Sequence, residues 1–226
     1  TAEITEYWSH HTNSILNEVA SHVGLDDEPV ALFAMGKLGS LELNLSSDVD
    51  LIWVSKSHIS NDVSKKIQKF TQLLTQIDEW GHCYRVDYEL RPGGRFGPLV
   101  SSQSQLENYY WSQGQTWERI ALIRLSGIYG DPEVIHNVLA SAKKFSYRKY
   151  SDFNLLESLQ SQRAKIRKYY QYVPGNEESQ FNLKLDPGGI RDIELFLHVN
   201  MILYAGKDPH LISKSTEQMA NRLSEA

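Results

Sequence analysis

One cysteine, seven prolines, no basic excess and no long apolar run limit what this 226-residue chain can be. A single thiol, Cys83, excludes an internal disulfide framework and a cysteine-rich zinc site, and it suits a reducing cytosol. Lys and Arg number 23 against 28 Asp and Glu, a net charge of −5. That balance argues against a general nucleic-acid binder, which needs a cationic face for the phosphates. It fits a protein partner or a small nucleotide better. No stretch approaches the ~20 apolar residues of a membrane span, and the N-terminus lacks the basic-then-apolar pattern of a signal peptide. A cytoplasmic protein is the expectation. The chain starts in one polar helix-like stretch and stops in another, which reads as a piece of something longer.

What is present is enough for one large domain or two small ones. Ile4, Trp8, Ile15, Leu16 and Val19 recur near a 3.6-residue period, so a helix is expected within residues 3–23. Val30–Met35 and Asp50–Val54 read as buried strands. Ser60 offers an N-cap to a helix carrying Val63, Ile67, Phe70, Leu74 and Ile77, which Gly81 stops. Cys83–Leu90 reads as a third strand closed by Arg91-Pro92-Gly93-Gly94, giving a small mixed sheet covered by helices. From Ser101 onward helices are expected: around Leu106–Tyr110, over Trp117–Leu125, and from Asp131-Pro132-Glu133, where proline and acid suit a first turn. A long helix over 152–172, a brief extended piece at Asn182–Leu185 and a helix over Gly188–Tyr204 complete the reading. The expected divisions are an N-terminal helix at 1–25, a catalytic domain at 26–128 and a helical region at 129–226.

The densest chemistry lies in Ala34–Trp53. A Gly39-Ser40 turn precedes Asp48-Val49-Asp50, which runs into the apolar stretch Leu51–Val54. Residues i and i+2 of a strand share a face, about 6.6 Å apart along the axis. Two carboxylates so placed repel unless a cation sits between them, and oxygen ligands favour a hard ion such as Mg²⁺ shared with substrate phosphates. A solvated Asp-x-Asp turn is the plainer alternative. In Tyr84–Arg91 the alternation places Asp87, Glu89 and Arg91 on one face. If that strand lies beside the first, Asp87 completes a three-carboxylate cluster able to hold two Mg²⁺ ions for in-line phosphoryl displacement. Arg91 and Arg95 could then receive phosphate oxygens. The alternative for this strand is a charged sheet edge.

Four segments, in order, resemble one family: Gly36-Lys-Leu-Gly-Ser with Ser46-Ser-Asp-Val-Asp-Leu-Ile, Arg85-Val-Asp with Leu90-Arg-Pro-Gly-Gly-Arg-Phe-Gly-Pro-Leu-Val, Trp117-Glu-Arg, and Pro187-Gly-Gly-Ile-Arg-Asp-Ile-Glu. That family is the bacterial glutamine synthetase adenylyltransferase/adenylyl-removing enzymes, and the resemblance covers about residues 30–205. It implies an α+β protein: a polymerase-β-like nucleotidyltransferase domain followed by helices. It implies Asp48, Asp50 and Asp87 as metal ligands for Mg²⁺. It implies that Gly39 and Ser40, with Lys37 and Ser47 in the same motif, contact the nucleotide, an ATP, ADP or AMP moiety. Turn amides free to bind an anion agree with that role. Family members carry two such units joined by a regulatory region. Asn44-Leu-Ser-Ser-Asp and Tyr109-Tyr110 with Trp117-Glu-Arg look more like the N-terminal unit, which removes AMP from glutamine synthetase by phosphorolysis. The implied partner is glutamine synthetase, with the PII signalling protein acting through a region outside this chain. Glu89 departs from the pattern, standing where an arginine is usual. Transfer of AMP from ATP to glutamine synthetase or another target stays open. So do an enzyme of the same fold that modifies a different protein or small molecule and a nucleotide-binding regulatory module without turnover; Glu89 favours these last two.

Other features carry weaker signals. Lys37 follows a glycine but lacks the spacing of a P-loop. Glu118 and Arg119 suit an internal ion pair as well as catalysis. Gly188-Gly189 opens a helix whose amides and Arg191 suit an anion or a structural junction. Asp192 and Glu194 lie too far round that helix to form a metal site, the eight histidines show no ligand spacing, and Arg163–Lys168 reads as a solvated face.

Overall fold

A computed structural model describes residues 2–148, 182–184 and 186–225, with isolated positions 157, 160, 161 and 164. The chain divides into two compact units, Thr1–Phe145 and Ser146–Ala226. Apart from those isolated positions, the helix expected over 152–172 lies outside the described residues.

The first unit is built on a mixed five-stranded sheet. Its strands are β1 (Val30–Ala34), β2 (Val49–Ser55), β3 (Val86–Asp87), β4 (Val100–Ser102) and β5 (Ser126–Gly130). The order is β3-β2-β1-β5, with β4 also on β2. Strand β1 runs antiparallel to both β2 and β5. Strands β3 and β4 pair in succession along the other edge of β2, both parallel to it. Helices α1 (Ala2–His22), α2 (Gly36–Gly39), α3 (Asn61–Thr75), α4 (Gln103–Ser112), α5 (Thr116–Ala121) and α6 (Pro132–Ser146) surround the sheet.

Both sheet faces are buried, which is why β1 and β2 read as unbroken apolar runs rather than alternating ones. Leu32, Leu51 and Trp53 pack with Leu16 of α1 and Ile67, Phe70 and Leu74 of α3. Trp53 meets Phe70 edge to face at 5.2 Å. Phe33, Ile52 and Val54 point the other way, against Leu106 and Tyr110 of α4 and Val134, Val138 and Phe145 of α6. The α3 start is the one expected: the Ser60 hydroxyl accepts from Val63 N–H. Asp131 caps α6 by accepting from the N–H groups of Glu133 and Val134.

Three expectations are corrected. Cys83–Leu90 does not continue as a strand: only Val86 and Asp87 pair, because the Asp87 carboxylate accepts from Glu89 N–H at 2.6 Å and Arg91 N–H turns back to Tyr88 O. The helix expected over Trp117–Leu125 is present as α5 and a 3₁₀ turn at Leu122–Arg124, but strand β5 follows it in a region read as helical throughout. Asn182–Lys184 is a turn, closed by Asn182 N–H on Asp186 and Lys184 N–H on Asn182, where an extended piece was expected.

In the second unit, α7 (Ile190–Tyr204) begins after Gly189, and α8 (Thr216–Ser224) packs against it. No described helix is long and apolar enough to cross a membrane.

Candidate functional site

The parallel register pairs Asp50 with Asp87 and Val49 with Val86. The two aspartates are therefore one strand spacing apart, about 4.8 Å, on one face. Asp48 precedes β2 by one residue, at the same end of the strand. The loop entering β2 is held from the far side of the unit: Leu43 N–H donates to Ser9 Oγ of α1 at 3.0 Å. Sequence spacing alone puts Asp48 near Asp50; it takes the β2–β3 pairing to bring Asp87 alongside.

The side chains have partners of their own. Asp48 Oδ1 accepts from the Arg85 guanidinium, which also reaches Ser46 O. Asp87 Oδ1 takes the Glu89 N–H. Among the described residues no group of three or more His, Cys, Asp or Glu side chains is gathered as a metal site. The donor set is nevertheless all oxygen, the chemistry a hard divalent cation takes. The backbone also leaves room beside it. Gly36 has φ +53°, and a Cβ there would overlap Asp50 Oδ2. In the sequence Gly36 opens the Gly36-Lys-Leu-Gly-Ser motif, but only the structure shows that it abuts Asp50. Gly36→Ala is expected to push the Asp50 carboxylate aside and to strain the turn. If these carboxylates hold Mg²⁺, its affinity by calorimetry should fall about tenfold or more in Gly36→Ala, while Gly81→Ala on the distant α3–β3 loop leaves it unchanged.

The turn from Gly36 to Glu42 follows β1 and crosses the mouth of β2. Met35 N–H donates to Asp50 O at 2.9 Å. Gly39 and Ser40 are buried there. The space a Gly39 Cβ would need is filled by the carbonyl oxygens of Arg124 and Ala34, the latter 2.7 Å away. Close approach to Gly39 is thus made by the chain itself. Lys37 is half-buried, and its carbonyl accepts from Glu42 N–H at 2.8 Å. Ser47 is half-buried in a turn closed on Asn44 O.

The two arginines behave differently. Arg91 donates to Tyr88 O, Arg95 O and Gly97 O at 3.1–3.3 Å, so its guanidinium clasps the Gly/Pro loop. Arg95 is exposed and pairs with Glu89 across the same loop. Glu89 therefore answers a cation and not the aspartates.

Beneath the loop, Glu118 is buried. It accepts from Tyr109 OH at 2.9 Å and Gln115 N–H at 2.6 Å. Burial pushes its carboxyl above the usual carboxylate range, and the bonds from Gln115 and Tyr109 pull it back part-way. A raised folded-state pKa means that ionised Glu118 costs stability once pH exceeds that value, and the cost fades as pH falls towards 4.5. Glu118→Gln is expected to gain on the native protein as pH rises through that window, measured by urea midpoints at a series of pH values.

A family model for glutamate-ammonia ligase adenylyltransferases matches residues 2–141. The chain belongs to this family. Three curated relatives carry the name bifunctional glutamine synthetase adenylyltransferase/adenylyl-removing enzyme. That of Nitrosococcus oceani is 34% identical over 209 residues, covering 88% of this chain and 21% of its own length. Those of Aromatoleum aromaticum and Chromobacterium violaceum are 36% identical, covering 84% and 88% of this chain and 21% and 23% of their own. The chain thus spans about a fifth of the length of these adenylyltransferase relatives.

Proposed function

We propose that the chain is one catalytic unit of a glutamine synthetase adenylyltransferase/adenylyl-removing enzyme, with a polymerase-β-like nucleotidyltransferase fold, and that it works in the removing direction. The observation that carries this is the pairing of Asp50 with Asp87 under the Gly36 turn, in a chain that belongs to this family. Asp48, Asp50 and Asp87 would hold Mg²⁺, two ions by the carboxylate count, which supplies charge neutralisation for the phosphate oxygens when bound. In the reaction an oxygen of inorganic phosphate bonds to the AMP phosphorus, the phosphorus–oxygen bond to the tyrosine of glutamine synthetase breaks, and the tyrosine oxygen takes a proton. ADP leaves. The chain's part is positioning and electrostatics. Arg95, exposed at the loop, would exchange Glu89 for a phosphate oxygen, a stronger bidentate partner. Arg91 keeps the loop closed so that Arg95 stays in place. The turn after β1 would receive the nucleotide through Lys37 and Ser40, and the turn just before β2 through Ser47.

A second reading is transfer of AMP from ATP. It is favoured by the Glu89–Arg95 pair, which leaves less cationic charge for a free phosphate. Incubation with adenylylated and with unmodified glutamine synthetase separates the two. With phosphate, the adenylylated target should lose the mass of one AMP per subunit and ADP should appear. A gain of one AMP on unmodified target with ATP would reverse the direction.

A further inference from the structure

Gly36–Glu42 contains the one non-glycine residue among those described with a left-handed backbone, Leu41 at φ +60°. A side chain in that region is strained and persists only where its surroundings over-determine it. The surroundings here are specific. Glu42 N–H closes on Lys37 O at 2.8 Å, and Ser126 Oγ donates to Gly39 O at 2.8 Å. The Glu42 carboxylate accepts from Ser40 Oγ at 3.1 Å and meets the Arg124 guanidinium at 3.4 Å. The Arg124 side chain is 8% exposed and that of Glu42 22%. Arg124 also fills the space at Gly39 with its own carbonyl. One residue of the 3₁₀ turn after α5 thus grips the strained turn by backbone and by side chain.

We infer that the Glu42–Arg124 pair is a positioning device for the nucleotide-binding turn; this rests on the reading above that the turn meets the nucleotide. A pair this buried is poorly explained by stability alone, because desolvation offsets most of its attraction. Its geometric consequence is definite. It fixes Ser40 through Glu42, and it opposes relaxation of Leu41. Gly36, in the same turn, abuts Asp50 Oδ2, so a turn that relaxes also disturbs the carboxylate end of the site. Neither residue touches the reacting atoms; both act through the turn.

Three variants of the full chain test this: Glu42→Gln, Arg124→Lys and the double variant Glu42→Gln/Leu41→Gly. The readouts are peptide-resolved amide exchange over 36–42 in the free protein and ADP affinity in the presence of Mg²⁺ by calorimetry. Glu42→Gln should speed exchange over 36–42 about tenfold and weaken ADP by a similar factor, with exchange in α3 unchanged. Arg124→Lys should fall between the native protein and Glu42→Gln. Leu41→Gly in the Glu42→Gln background removes the strain and should recover about fivefold of the loss. Unchanged exchange over 36–42 in Glu42→Gln would overturn the inference, as would a double variant no better than the single one. If the native protein binds no ADP, the functional reading fails, and the exchange measurements still decide the role of the pair.

Discussion

Asn in place of Asp50 is expected to lower turnover by about a hundred- to a thousandfold while the melting temperature holds or rises slightly. The pairing of Asp50 with Asp87 sets two like charges one strand spacing apart, so removing one relieves repulsion in the free protein. On the proposed reading the same removal takes away an oxygen ligand from the Mg²⁺ that would neutralise phosphate charge. Asp87→Asn should behave alike. Asp48→Asn differs in one respect, since it also breaks the exposed pair with Arg85, an interaction worth at most about 1 kcal/mol. Turnover on adenylylated glutamine synthetase and a thermal melt, measured on the same preparations, check both halves. Full activity in Asp50→Asn would remove the carboxylates from the chemistry.

Gly39→Ala should produce the largest loss of stability of any substitution named here, about 3 kcal/mol or more in urea unfolding. The methyl group would meet two backbone carbonyls, those of Arg124 and Ala34, and backbone cannot rotate away as a flexible side chain can. Strand β1, the 3₁₀ turn at Leu122–Arg124 and the turn itself would all have to shift. The denaturation midpoint, at constant slope, reads this directly. A loss below about 0.5 kcal/mol would mean that the turn yields and that Gly39 serves something other than packing.

How far the sequence could be read depends on the range of the forces involved. Strands β1 and β2 and the Ser60 cap were legible because their signals are local: an apolar run, and a hydroxyl before a helix. The closeness of Asp48 to Asp50 was legible from spacing, though Asp48 stands one residue before β2 and not on it. The end of β3 was not, since Tyr84–Arg91 alternates as a strand should, and a single side chain-to-backbone bond from Asp87 to Glu89 N–H ends it. Strand β4 has only three residues, and β5 is half-buried along its whole length, so neither shows an apolar run. The role of Gly39 needed a contact with Arg124, far along the chain, which no local pattern encodes. Glu89 was legible only as a departure from the family pattern, not by its partner. The choice of Arg95 follows from the turn that Arg91 holds closed.

Phosphorolysis in ¹⁸O-labelled phosphate tests the central claim most directly. Adenylylated glutamine synthetase, Mg²⁺ and phosphate carrying four labelled oxygens are incubated with the chain, and the released nucleotide is weighed. If a phosphate oxygen attacks the AMP phosphorus at this site, the product is ADP with all four labels in and bridging to its β-phosphate, and Asp50→Asn produces almost none. Unlabelled AMP would mean that water is the nucleophile, and equal yields from the native and Asp50→Asn proteins would place the reaction elsewhere.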